Sequence, residues 1–274
     1  MNLTKASFLG SSNVWVASLL WAIAIGLPAI AQTLPTETNR GAPSRSPIIF
    51  SAPDLTDKGR PGDRQGAASR GPCSRNVNAR ELLALVPDTE TNPSVGLTVD
   101  EHPTFWFSIP YAAQTFYAIE FELLEPVDGQ ETLPPSQRDY NTLYASQLTN
   151  TTSLPGIASF RLPETAPPLK PNKTYKWFVR FYCEEPRLDY PEMPLFMGGS
   201  IIRVEPAQYS AGEPEPLDLA IALASSPRER ALILARYGIW YDAFNEIATL
   251  HRTGAAIADL QALLEAISSS PIAS

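Results

Sequence analysis

Between residues 77 and 206 apolar side chains recur at every second position, in short runs bounded by Pro and Gly. Period two puts alternate side chains on opposite faces of an extended chain, so these runs read as half-buried strands rather than helices. Phe105, Phe107 and Ile109 share one face, with Trp106 and Ser108 on the other. Tyr117, Ile119, Phe121 and Leu123 alternate with Ala118, Glu120, Glu122 and Leu124. Tyr175, Trp177, Val179, Phe181 and Cys183 alternate with Lys176, Phe178, Arg180 and Tyr182. Weaker runs at 97–99, 143–147, 157–162 and 199–204 bring the total to six or seven strands, which predicts an antiparallel sandwich over residues 73–210.

One local pattern sharpens this. Leu169, Pro171, Tyr175, Trp177 and Val179 resemble the late strands of fibronectin type III and other immunoglobulin-like domains. That resemblance implies a corner role for Tyr175, bonded back to upstream backbone, and a core-anchor role for Trp177. The periodicity then changes. Residues 228–270 contain no proline, in a chain with 27 prolines among 274 residues. Ser226, Pro227 and Glu229 form a helix start, and Gly238 is a C-terminal stop. Trp240, Ala243, Phe244, Ile247 and Ala248 recur at helical spacing up to Gly254, as do Ile257, Leu260, Leu263, Leu264 and Ile267. With a helix over 217–224, this predicts a small helical array over 211–274. Residues 234–247 resemble one tetratricopeptide hairpin. A single copy cannot bury its own faces, so it must pack on the sandwich or a partner, and it is not read as a peptide-binding solenoid.

The N-terminus reads as an address. Lys5 is the only charge before Glu37, an apolar run spans 14–27, and Ala29 and Ala31 make a small-residue exit. This is the pattern of a secretory signal peptide over 1–31, the other reading being an uncleaved anchor. The run is short for a transmembrane helix. Residues 32–72 are rich in Pro, Gly, Ser, Thr and Arg, with one apolar cluster at Ile48, Ile49 and Phe50, and read as a disordered linker. Export makes Cys73 and Cys183 a candidate disulfide, with two buried thiols as the alternative.

The formal charge is −8. The linker carries +2 and the first 31 residues +1, which leaves −11 on residues 73–274. That balance argues against a nucleic-acid partner. The two Cys and two His are too few for a zinc finger or a multi-histidine metal site unless they join in one cluster, so no metal and no cofactor is expected. Phosphate-loop and nucleophile-elbow motifs are absent. His102 reads as a turn residue and His251 as a helix C-terminal one. Glu120, Glu122, Glu125, Asp128, Glu184, Glu185 and Asp189 read as a solvated set rather than a catalytic pair. Trp106, Phe178 and Tyr182 lie on faces opposite the expected core, and Trp240, Tyr241 and Asp242 sit at a helix turn. These aromatics either form an interaction surface or are covered by the helices; the second reading is preferred, with Trp240 and Phe244 docking on Trp106, Phe178 or Tyr182.

Five motifs in order carry a wider resemblance: Arg70 to Cys73, Leu83 to Pro87, Pro103 to Phe107 with Pro110 and Tyr111, Trp177 with Cys183, and Gly238-Ile-Trp-Tyr-Asp-Ala243. Together they resemble the cyanobacterial "domain of unknown function 928" family over roughly residues 73–267. Where that pattern has Asp after the second Cys, this chain has Glu184 and Glu185. The resemblance implies an exported cyanobacterial envelope protein, periplasmic or extracellular, and supplies no catalytic residue. The expectation is a non-enzymatic module that binds another exported protein and has no membrane span once the signal peptide is removed. A carbohydrate-binding or adhesin-associated module is the alternative, and a hydrolase using scattered carboxylates or His102 is the third.

Overall fold

The computed structural model describes residues 47–56, 58, 64–66, 72–88, 94–130, 133–134, 137–149, 151, 153–186 and 194–268. All lie in the larger of two compact units, Ser46–Ser274. The expected signal peptide lies outside the described residues.

Among the described residues the protein is mainly β, with two sheets followed by four α-helices. The strands are β1 (Leu83–Ala84), β2 (Val95–Thr98), β3 (Thr104–Ile109), β4 (Ala118–Pro126), β5 (Tyr140–Gln147), β6 (Gly156–Arg161), β7 (Thr174–Tyr182) and β8 (Leu195–Arg203). One sheet runs β1-β3-β6 and the other β2-β8-β7-β4-β5. Every pairing between these strands is antiparallel except β2 with β8, which is parallel from Val95↔Ser200 to Thr98↔Arg203. The expectation of a wholly antiparallel sandwich is therefore corrected, because alternation reports a strand's faces and not its neighbour's direction. The inward rows are as expected: Phe105, Phe107, Ile109, Ile119, Phe121, Leu123, Tyr175, Trp177, Val179 and Phe181 are all buried. Tyr117 is the exception at 55% exposed, since β4 begins one residue later. The Tyr175 hydroxyl accepts from the Lys170 amide at 2.9 Å. Cys73 and Cys183 form a disulfide that ties a turn before β1 to the end of β7.

The helices are α1 (Leu217–Ala222), α2 (Pro227–Arg236), α3 (Trp240–Arg252) and α4 (Ile257–Ser268). The Ser226 side chain caps α2 by accepting from the Glu229 amide at 3.2 Å. Gly238 ends α2 at φ +73°, a left-handed conformation that suits glycine. The first turn of α3 then inserts into the β-structure. Consecutive helical side chains point about 100° apart, from 3.6 residues per turn, so three in a row reach in three directions. Trp240 donates to the Leu85 carbonyl at 2.8 Å. The Tyr241 hydroxyl accepts from Trp177 Nε1 at 2.7 Å and donates to the Ser200 carbonyl at 3.1 Å. Asp242 accepts from the Thr98 hydroxyl at 2.7 Å and the Val99 amide at 3.1 Å. Gly96 on β2 lets this helix approach, as a Cβ there would lie 2.8 Å from the Tyr241 ring.

Part of the stretch expected as a linker is seated on the helices instead. Ile48 is buried and its amide donates to Asp259 at 3.1 Å. Phe50 meets Trp240 edge-on at 4.9 Å, and the Ser51 amide donates to the Ala235 carbonyl at 3.0 Å. Further along, Gln65 bridges Leu83, so the β-structure begins before residue 73. The correction has a simple cause. Average composition over 32–72 is that of a linker, but two apolar side chains and a few backbone bonds are enough to seat a short segment on a preformed surface.

Three measurements test these contacts. Tyr241→Phe leaves a buried indole donor and a carbonyl without their partner and should cost about 1–3 kcal/mol in urea unfolding; Trp240→Ala should cost about 3–5 kcal/mol. An unmoved melting temperature for Trp240→Ala would refute the docking. Desolvation raises the Asp242 carboxyl from 3.8 to about 6, against the lowering effect of the Thr98 and Val99 bonds. The folded chain then holds more protons than the unfolded one across that interval, so this group's contribution falls as pH rises through it. The stability of the wild type minus that of Asp242→Asn should decline from about pH 4 to about pH 6 and level off above; a flat difference would contradict the raised carboxyl. Finally, the disulfide closes a separation of 110 residues. Reductant should lower stability by about 4–5 kcal/mol on the chain-entropy account and leave a Cys73→Ala/Cys183→Ala protein unaffected.

Candidate functional site

The helices cover one outer face and leave another open. Trp106, on the outer side of β3, meets Phe244 at 5.7 Å and Arg252 at 4.7 Å, and its indole donates to Asn245 at 3.3 Å. Trp106 is 4% exposed and Trp240 0%, so neither offers a surface to a partner. For Trp106 this is the preferred reading, with Phe244 docked on it; the place of Trp106 and Trp240 in the alternative interaction surface is corrected, because each indole is occupied by the contact between α3 and the β-structure. Phe178 and Tyr182 do face outward, but on the five-stranded sheet, away from Trp240 and Phe244.

The outer face of that sheet follows from the register. Arg180 lies opposite Glu120 on β4 and Phe196 on β8, and Phe178 opposite Glu122 and Gly198. On β5, Gln147 lies opposite Glu120 and Ala145 opposite Glu122. Arg180 Nε donates to Glu122 at 2.9 Å, and its Nη2 donates to the same carboxylate. The Thr142 hydroxyl donates to the other oxygen of Glu122 at 2.9 Å. Phe178 and Phe196 meet edge-on at 5.6 Å, and the Arg180 guanidinium lies 5.7 Å from the Phe178 ring. Gly198 makes room for that ring, since a Cβ there would lie 2.8 Å from it. Beside this patch runs a groove of about 490 Å³ lined by Glu120, Glu122, Gln147, Arg180, Tyr182 and Pro194. Desolvation, and then the neighbouring Glu120 carboxylate, raises the Tyr182 phenol, which keeps it a hydrogen-bond donor.

This arrangement offers a half-buried aromatic and ion-paired surface. Glu122 is fixed by Arg180 and Thr142 through charge-assisted hydrogen bonds to both of its oxygens. The other polar residues drawn from the sequence lie elsewhere. Glu125 and Asp128 both bind the Lys173 ammonium, at 3.1 and 2.9 Å. His102 bonds the Ala166 carbonyl at 3.1 Å, and its amide donates to Asp100. His251 is exposed in the last turn of α3, Glu184 and Glu185 are exposed, and Asp189 lies outside the described residues. Tyr241 and Asp242 are spent on the contact between α3 and the β-structure. Arg180, Phe196 and Gln147 are the site residues that sequence reasoning did not single out. Arg180 alternates in register with Phe178 and Tyr182, a signal that was present, but only strand pairing sets it beside Glu122.

Among the described residues no group of three His, Cys, Asp or Glu side chains could hold a metal ion, and no helix is long and apolar enough to cross a membrane. No curated protein matches the sequence. A family model does match, over residues 65–274, a span that takes in both sheets, the disulfide, the groove and all four helices. The chain therefore belongs to the family described as Domain of Unknown Function (DUF928).

Proposed function

We propose that the chain is an exported, non-catalytic binding module of a cyanobacterial envelope, and that it recognises another exported protein through the outer face of β4, β7 and β8. The architecture we assign it is an immunoglobulin- or fibronectin-III-like sandwich, with a tetratricopeptide-like hairpin of α2 and α3 as its cap. The sheet order and the bond from the Lys170 amide to Tyr175 support the first part. The disulfide and the signal-like N-terminus support export.

The observation that carries the binding role is the patch itself. Phe178, Phe196 and Tyr182 are half-buried beside a fixed Arg–Glu pair, and aromatic residues with arginine are the side chains that dominate protein–protein hot spots. The acidic balance of the folded part favours a partner that is neutral or basic where it docks. A second reading rests on the groove. Tyr182 with Glu120 and Gln147 beside it offers a ring face and polar groups to a sugar.

A photo-crosslinking residue placed at Phe178 or Tyr182 should capture an exported protein in living cells, whereas one at the exposed Leu219 on α1 should not. Tyr182→Ala with Phe178→Ala should then weaken that complex at least about tenfold, with the fold retained. Retention on polysaccharide columns that depends on Tyr182, with no protein adduct, would favour the glycan reading. If neither a protein adduct nor Tyr182-dependent retention is seen, the assignment of this face is overturned.

A further inference from the structure

Residues 48–53 lie along the helices as an extended peptide would lie in a binding site. Ile48 is 3% exposed and Ile49 is 77% exposed, while Phe50 turns in again. Two backbone amides are engaged: Ile48 donates to Asp259 and Ser51 donates to the Ala235 carbonyl. Phe50 sits edge-on against Trp240, and the Pro53 ring packs so close to Gly238 that a Cβ there would lie 2.8 Å from it. The acceptor Asp259 is held by Arg228 through two bonds, of 2.7 and 2.8 Å, so α2 and α4 fix it without help from the segment. Main-chain bonds to fixed acceptors, with alternate side chains in pockets, are how proteins hold extended peptides in general.

A further observation separates the segment from the domain it rests on: the family match begins at residue 65, downstream of it. We propose that the crease formed by α2, α3 and α4 is a peptide-binding site, filled here by the chain's own residues 48–53. Its ligand class is an extended segment with two apolar side chains two residues apart and a proline three residues further on. A tethered occupant acts at a high effective concentration, so a competing segment gains access when the tethered one is weakened or removed.

The test uses the full chain carrying Ile48→Ser and Phe50→Ser, and as probe a labelled synthetic peptide of residues 47–56. The peptide should bind this variant at least tenfold more tightly than the wild-type protein, and the same peptide with both serines should bind neither. Equal affinity for the two proteins, or no saturable binding to a folded variant, would overturn the proposal. Amide hydrogen exchange in the wild-type protein covers the case in which the variant does not fold. The Ile48 and Ser51 amides should exchange at least a hundredfold faster than those of Ile247 and Ala248 within α3. Exchange at one common rate would make the segment an inseparable part of the core and would end the proposal.

Discussion

A phenol buried between two sheets must find both a donor and an acceptor, because an unmatched polar atom there costs as much as several buried methyl groups gain. The Tyr241 hydroxyl finds both: the indole of Trp177 on β7 and the carbonyl of Ser200 on β8. Since Trp177 is itself fully buried, this bond serves two side chains that could not otherwise be enclosed together. It also fixes the position of α3, whose neighbouring residues then reach Leu85 with Trp240 and the end of β2 with Asp242. The ring of Tyr241 extends the aromatic core, 5.7 Å from Phe105, which in turn meets Phe121 at 4.8 Å. The helices are therefore part of the β-core and not an attached domain.

Once α3 is set there, the fate of the outer surfaces follows. Phe244 and Asn245, on the next turn, come to rest on Trp106, which closes the outer side of β3. The three-stranded sheet thereby has its outer side covered at Trp106, and the five-stranded sheet keeps a free face. The same placement turns Trp240 and the end of α2 toward Phe50 and Pro53, which produces the crease filled by residues 48–53. The closed face, the open face and the crease all descend from one helix start.

Much of this was legible in the sequence. Period-two runs gave the inward rows of β3, β4 and β7, and Ser226 and Gly238 gave the limits of α2, because strand faces and helix ends are decided locally. What depended on distant partners was not legible. Alternation set Trp106, Phe178 and Tyr182 alike on outer faces and the lone hairpin had to cover something, but only the sheet order decides that Phe244 docks on Trp106 and that the other two stay open. Arg180 was visible as a member of an outward row, yet its pairing with Glu122 exists only through the register of β4 against β7. The parallel pairing of β2 left no trace in its composition. The burial of Ile48 was hidden because a segment of six residues was averaged into a polar stretch of 41.

The open face owes its precision to the strand beneath it. β7 is held near its start by the bond between Tyr175 and Lys170 and just past its end by the disulfide at Cys183. Between them Trp177 is locked from the core side by Tyr241. Phe178, Arg180 and Tyr182 project from the same strand in the opposite direction, so their spacing is set by contacts that solvent cannot reach. A recognition surface gains affinity when its side chains are ordered before the partner arrives, since less freedom is lost on binding. Each feature that makes β7 an interior strand therefore also prepares its exterior, which is why the aromatic patch lies here, with the groove running from it past Glu120 and Glu122 on β4 to Gln147 on β5.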